Sequence, residues 1–207
     1  MTFMQEVAAD FTAETKDHQL TVLHDDGLYR HLRIAAPFTG IWSWELVTWP
    51  GHLAITGDIG SGYTFHADED MVPWFLASRT INPRYWAEKL PERQRRVVFE
   101  FDPELLRQAA LKEIAEWRLA DSDRDAAIAQ LNTAWEDVWA EDENEYRGVI
   151  DRYVLEATTT TGDVLGGSEF RFPDAAEMDG EEFSRSYLLA CNAIHFGLRL
   201  YAAKGTP

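Results

Sequence analysis

From residue 19 to residue 66 the chain alternates apolar and polar side chains in short runs, and the turns between the runs are too short to hold a crossover helix. Leu20, Val22 and His24 stand at period two ahead of an Asp26-Gly27 turn, and further runs follow over 29–35, 42–48, 52–58 and 63–66. The separators at 37–40, 50–51 and 57–62 are rich in Gly and Pro, which supply the positive or fixed φ of tight turns. Parallel strands need a connection of about a dozen residues or more. The spacing therefore predicts an antiparallel meander of about five strands.

On either side of the meander the periodicity is helical. Phe3, Val7 and Phe11 recur every four residues and predict an N-terminal helix over 3–16. Asp68 is a candidate cap for a helix through Met71, Trp74 and Phe75 with Pro73 in its first turn, and Asn82-Pro83 opens another through Trp86 to Leu90. The run 97–101 reads as a sixth strand. Asp102-Pro103 then starts a long helix through Leu106, Ile114 and Trp117; Asp121 starts the next, through Leu131 and Val138; a third covers 142–158, ended by a Thr run and Gly162. After a strand at 168–172, a last helix spans 181–203, with Phe183, Tyr187, Cys191, Ile194, Leu198 and Tyr201 in a stripe broad enough to pack on the sheet. Strands first and helices afterwards make the class α+β. The organisation expected is one domain over 1–207: a strand-rich part at 19–66 against an N-terminal and a long C-terminal helix, with a helical segment at 102–158 inserted.

That insertion is where the charge lies. The chain carries 36 Asp and Glu against 19 Lys and Arg, a net −17, yet residues 100–182 alone hold 23 acidic and 7 basic side chains. With 45% hydrophobic residues and eight Trp, the chain has apolar surface enough to fold, which excludes a disordered acidic polypeptide. An acidic surface repels phosphate backbones and anionic lipid, so direct nucleic-acid or membrane binding is not expected. No apolar run approaches the roughly 18–20 residues of a membrane span, the first residues lack an export signal, and Cys191 is the only cysteine. A reducing cytoplasm is the expected setting.

Between residues 121 and 145 the acidic side chains Asp121, Asp123, Asp125, Glu136, Asp137, Glu141, Asp142, Glu143 and Glu145 are opposed only by Arg124. Duplex DNA carries one charge per roughly 1.7 Å of axis, and carboxylates on rigid helices can reproduce such a field toward a basic groove. The bland alternative is a solvated, solubilising face. A second set, His24, Asp25, Asp26, His52, Asp58 and His66, falls near strand ends, where meander loops could gather a ligand, a nucleotide or a metal; His with carboxylate suits zinc or manganese, but no HExxH, HxH or EF-hand spacing occurs. The glycines at 57–62 precede a strand rather than a helix and lack the Lys-Ser or Lys-Thr of a phosphate loop. Cys191 and His195 fall on adjacent turns of one helix amid core residues. Arg79, Arg84, Lys89, Arg93, Arg95 and Arg96, with Trp74, Tyr85 and Trp86 interleaved, form a basic group that could serve as a stacking and phosphate-binding surface but is read first as counter-charge to the acidic helices. No catalytic residue and no cofactor is assigned, and the weight falls against an enzyme.

Four blocks, HDDGLYRHLRI (24–34), WELVTWPGHLAITGDIGSGYTF (44–65), INPRYWAEKL (81–90) and LLACNAIHFGLRLY (188–201), together resemble a family of uncharacterised phage and prophage proteins across nearly the whole chain. That family reads Gly-Ser-Tyr where this chain has Gly60-Ser61-Gly62-Tyr63, an insertion expected to alter a hairpin turn, and Ser-Arg where it has His66-Ala67. The resemblance implies a phage-encoded accessory protein in a bacterial cytoplasm. With the acidic segment, it leads to a protein that binds a host protein through a basic surface, such as a counter-defence inhibitor of anti-CRISPR or DNA-mimic type. Two alternatives stay open: a small-molecule, nucleotide or metal-binding enzyme using the meander loops, and a structural or assembly role as a homo-oligomer.

Overall fold

The computed structural model describes residues 1–59, 62–139, 142–157, 168–172 and 174–205. They group into two compact units, Met1–Phe99 with Phe183–Pro207, and Glu100–Glu182. The class is α+β.

The first unit begins with helix α1 (Phe3–Thr15), closed at its start by a capping box between Thr2 and Gln5. Five strands follow, β1 (Gln19–Asp26), β2 (Tyr29–Ala35), β3 (Trp44–Trp49), β4 (His52–Gly57) and β5 (Thr64–His66), paired antiparallel in chain order. Alternation decides which face is buried: Leu32 and Ile34, Trp44 and Leu46, Leu53 and Ile55, and Phe65 all point to one side and are buried. Gly57 ends β4 at φ 125°, and a Cβ there would stand 2.5 Å from the Ser43 carbonyl oxygen, so backbone conformation and space both demand glycine. Three short helices, α2 (Met71–Leu76), α3 (Pro83–Ala87) and α4 (Glu92–Arg95), complete the first stretch of the unit.

From Glu100 to Glu182 the chain builds a second core. Strand β6 (Phe99–Phe101) leads into α5 (Pro103–Glu116), α6 (Asp121–Glu136) and α7 (Glu143–Arg152), then β7 (Leu155–Ala157), β8 (Ser168–Phe170), a 3₁₀ turn at Ala175–Glu177 and β9 (Glu181–Phe183), which pairs with β6. Leu106, Ala110, Ile114, Leu131 and Ile150 form the centre of this core. Tyr153 is buried among them and its hydroxyl donates to the Ala127 carbonyl at 2.8 Å.

The chain then re-enters the first unit in α8 (Arg185–Ala203), capped by Ser184, whose Oγ accepts from the Tyr187 amide. Tyr187, Ile194, Leu198 and Tyr201 belong to the sheet's core. At Gly197 the helix lies so close to the sheet that a Cβ would meet Leu46 at 2.9 Å and Ile34 at 3.0 Å. Phe11 of α1 packs on Trp44 and on Phe196 of α8.

Several boundaries differ from those read in the sequence. The register shifts between Val22 and His24, so Val22 and Leu23 are exposed and the alternation from Leu20 does not continue. Asp70, not Asp68, caps α2. The sixth strand pairs with β9, outside the meander. The third acidic-segment helix stops at Arg152, because Tyr153 turns extended and the chain continues as β7. The last helix starts at Arg185, with 181–183 extended as β9. The Thr run, Gly162, and the Gly60-Ser61 part of the expected altered turn lie outside the described residues. Among the described residues no helix is long and apolar enough to cross a membrane.

Candidate functional site

The charge segregates with the units: Glu100–Glu182 holds 23 acidic and 7 basic side chains, and the remainder of the chain 13 and 12. Part of this excess follows from helix physics. The amides of a helix's first turn carry partial positive charge, so acidic residues there are stabilising. Asp121 and Asp123 occupy the first turn of α6, Glu143 and Glu145 that of α7, and Asp142 caps α7 by accepting from the Asn144 amide at 3.0 Å. Asp121 also pairs with Arg124 at 3.2 Å and Glu143 with Arg147 at 2.8 Å.

Glu136 and Asp137 have no such account. They close α6 at its C-terminal end, where the carbonyl partial charges disfavour anions, and no basic residue occupies that last turn. Both are exposed. Among the described residues Asp125, Glu136, Asp137 and Glu145 form no ion pair. Two residues beyond Asp137, Trp139 is 93% exposed, whereas the neighbouring Trp135 stacks on Tyr146 at 4.9 Å. Between α6 and α7 runs a groove of about 580 Å³, with Asp137 and Glu145 at its acidic rim, Val138 and Val149 as apolar lining, and Arg152 among its polar residues. The site thus combines unpaired carboxylates, an exposed indole and a groove on one helix pair. Glu141 lies outside the described residues. Trp139 was the residue missed by sequence reading; its place just after a helix ending in two acids was the available signal.

The meander residues separate. The turns after β1 and β3 are at one end of the sheet and bring Asp25, Asp26 and His52 there, with His66 opposite His52. Asp58 follows β4 at the other end, where its amide donates to the Ser43 carbonyl at 2.9 Å. Asp26 pairs with Tyr29 across the first turn, and His24 stands opposite His31. His52 stacks on Trp49 at 4.9 Å and meets His66 edge-on at 4.6 Å, with its Nδ1 2.9 Å from the Pro50 carbonyl. Among the described residues no three His, Cys, Asp or Glu side chains come together as a metal site.

Asp25 instead joins a polar network around the buried Arg30. Its carboxylate accepts from the Tyr201 hydroxyl at 2.7 Å, and Arg30 donates to Tyr201 and, through both terminal nitrogens, to Asp70 at 2.9 and 3.0 Å. Burial opposes the charge of Arg30, but the Asp70 and Tyr201 bonds outweigh it and raise its pKa. Burial and the bond to Asp25 raise that of Tyr201. This network ties β1, β2, α2 and α8 together. Its signal in the sequence was an arginine in phase with Leu32 and Ile34 on the buried face of β2.

Cys191 is fully buried, and that burial pushes its thiol above the ordinary value, the reverse of activation. In the basic group at 79–96 three side chains have partners within the first unit. Arg96 pairs with Glu92, Arg95 donates to the carbonyls of Glu88 and Leu90, and Lys89 lies 4.6 Å above the Tyr85 ring. Comparison of the chain with family models, curated proteins and solved structures finds no match.

Proposed function

We propose that this protein acts by binding a partner protein through the acidic face of its Glu100–Glu182 unit, with Trp139 as the apolar anchor and Asp121, Asp125, Glu136, Asp137, Asp142 and Glu145 as the steering field. The single observation that carries this reading is the end of α6, where two exposed carboxylates sit against the helix dipole and a tryptophan 93% exposed follows them. Solubility alone accounts for exposed acids but not for an exposed indole among them, since tryptophan is a preferred anchor of interfaces. The complementary surface is basic and desolvates an aromatic ring. A nucleic-acid-binding groove of a host enzyme has that chemistry, and the phage-like blocks of the sequence support the reading of a phage-encoded, counter-defence inhibitor.

The test is capture from bacterial lysate on the immobilised full-length protein, with bound proteins identified by mass spectrometry. A discrete basic partner is expected, released as salt rises through a few Debye-length contractions. Its capture should fall about tenfold or more in Trp139→Ala and in the combined Glu136→Lys, Asp137→Lys, Asp142→Lys variant. Capture indifferent to both changes overturns the proposal.

A further inference from the structure

The first unit carries a separate feature on α8. Leu188, Asn192, His195 and Arg199 recur at three- and four-residue spacing and form a stripe distinct from the Tyr187, Ile194, Leu198 and Tyr201 side chains of the core. Beside this stripe, between α1 and the 79–83 segment, lies a groove of about 270 Å³ whose walls are mainly apolar, including Ala8, Ile81, Pro83 and Leu188. Arg79 and His195 line this groove and also a second hollow of about 470 Å³, which adds Arg199 and Ser78, so the two hollows lie side by side across these shared side chains. Their sizes suit a small molecule.

The lining of both hollows is cationic. Among the described residues no Asp or Glu lines either hollow. Arg79 and Arg199 form no ion pair among the described residues, whereas Arg185, also on α8, pairs with Asp10 of α1. His195, which lines both hollows, is held below its ordinary pKa by burial and by the nearby Arg199 charge. An anion placed there meets two guanidinium groups whose charge nothing else in the hollow neutralises.

We propose that this groove binds a small amphipathic anion, with a carboxylate or phosphate head between Arg79, His195 and Arg199 and an acyl or aromatic body over Ile81, Pro83 and Leu188. The experiment is calorimetric titration of the full-length protein with octanoate, octyl phosphate, the neutral octyl glucoside and inorganic phosphate. At least one of the two anionic amphiphiles is expected to bind, and comparing them identifies the head group. Octyl glucoside and inorganic phosphate should each bind about tenfold or more weakly than the better anion, since each lacks one half of the recognition. In the double variant Arg79→Gln, Arg199→Gln, both sites being exposed, binding should fall about tenfold with the unfolding midpoint unchanged; Ala8→Phe should block the apolar end. Failure of both anions to bind, equal binding of the glucoside, or binding retained in the arginine double variant would overturn the proposal. The ligand series on the unaltered protein decides this even where a variant folds poorly.

Discussion

Arg30 is the buried charge at the centre of a polar network in the first unit. It is buried, and its charge is matched by Asp70 at two hydrogen-bonding distances, with Tyr201 and Asp25 completing the circuit. Removing one partner of such a pair leaves a buried charge uncompensated, so Asp70→Ala should cost about 3 kcal/mol, read by urea denaturation. Asp70 also caps α2, and the loss of that cap is part of the cost. A cost within about 0.5 kcal/mol of zero would show that the network adds nothing. Gly57→Ala is expected to cost about 2–3 kcal/mol, since it adds left-handed strain to a collision with the Ser43 carbonyl. Arg30 was legible in the sequence only as a charge on an inward phase. Its partners, at positions 70 and 201, were not, because long-range pairing leaves no local pattern.

At the scale of elements, α6 poses stability against use. Reversing Glu136 and Asp137 to Lys replaces unfavourable charges at its C-terminal end with favourable ones and should stabilise the second unit by about 0.5–1 kcal/mol per site, while abolishing partner capture. Denaturation measured at low salt checks the first half without any partner; destabilisation would mean that these acids serve the fold. Strands β2 and β3 give a pH prediction. The His31 hydrogen bond, against the cost of partial burial and with help from Arg33, holds the Glu45 carboxyl below the usual carboxylate range. A carboxyl with a depressed folded pKa contributes stability above its unfolded value and loses it as pH falls through the folded one. Glu45→Gln should therefore lower the denaturation midpoint near neutral pH and flatten its fall on acidification; an unchanged acid limb would contradict the assignment. The meander was readable because its turns exclude crossovers and its buried positions alternate. The ends of α7 and the start of α8 were not: Tyr153, Leu155 and Phe183 continue an apolar helical pattern, and only pairing of three-residue strands makes the last two extended.

For the molecule as a whole, two cores and one charge asymmetry are the governing facts. The sheet core is centred on Trp44, Leu46 and Ile194, and the inserted core on Leu106, Ile114 and Leu131. Tyr153→Phe, which removes the bond to Ala127, should destabilise the inserted unit by about 1 kcal/mol and leave hydrogen-exchange protection of β2–β4 unchanged, while Gly57→Ala should do the converse. Equal loss of protection in both units would contradict the assignment of Tyr153 and Gly57 to separate cores. The −16 charge of the second unit was legible from composition, but which carboxylates stay unpaired, and that an indole stands exposed among them, required the fold. The central claim is that this face is an interface, and the most direct measurement is site-specific photo-crosslinking in bacterial cells, with a benzophenone amino acid at position 139 or, on the first unit, at exposed position 85. A discrete adduct is expected from 139, absent from 85 and lost when Glu136, Asp137 and Asp142 are reversed to Lys. No adduct from 139, or one that survives the charge reversal, would contradict the claim.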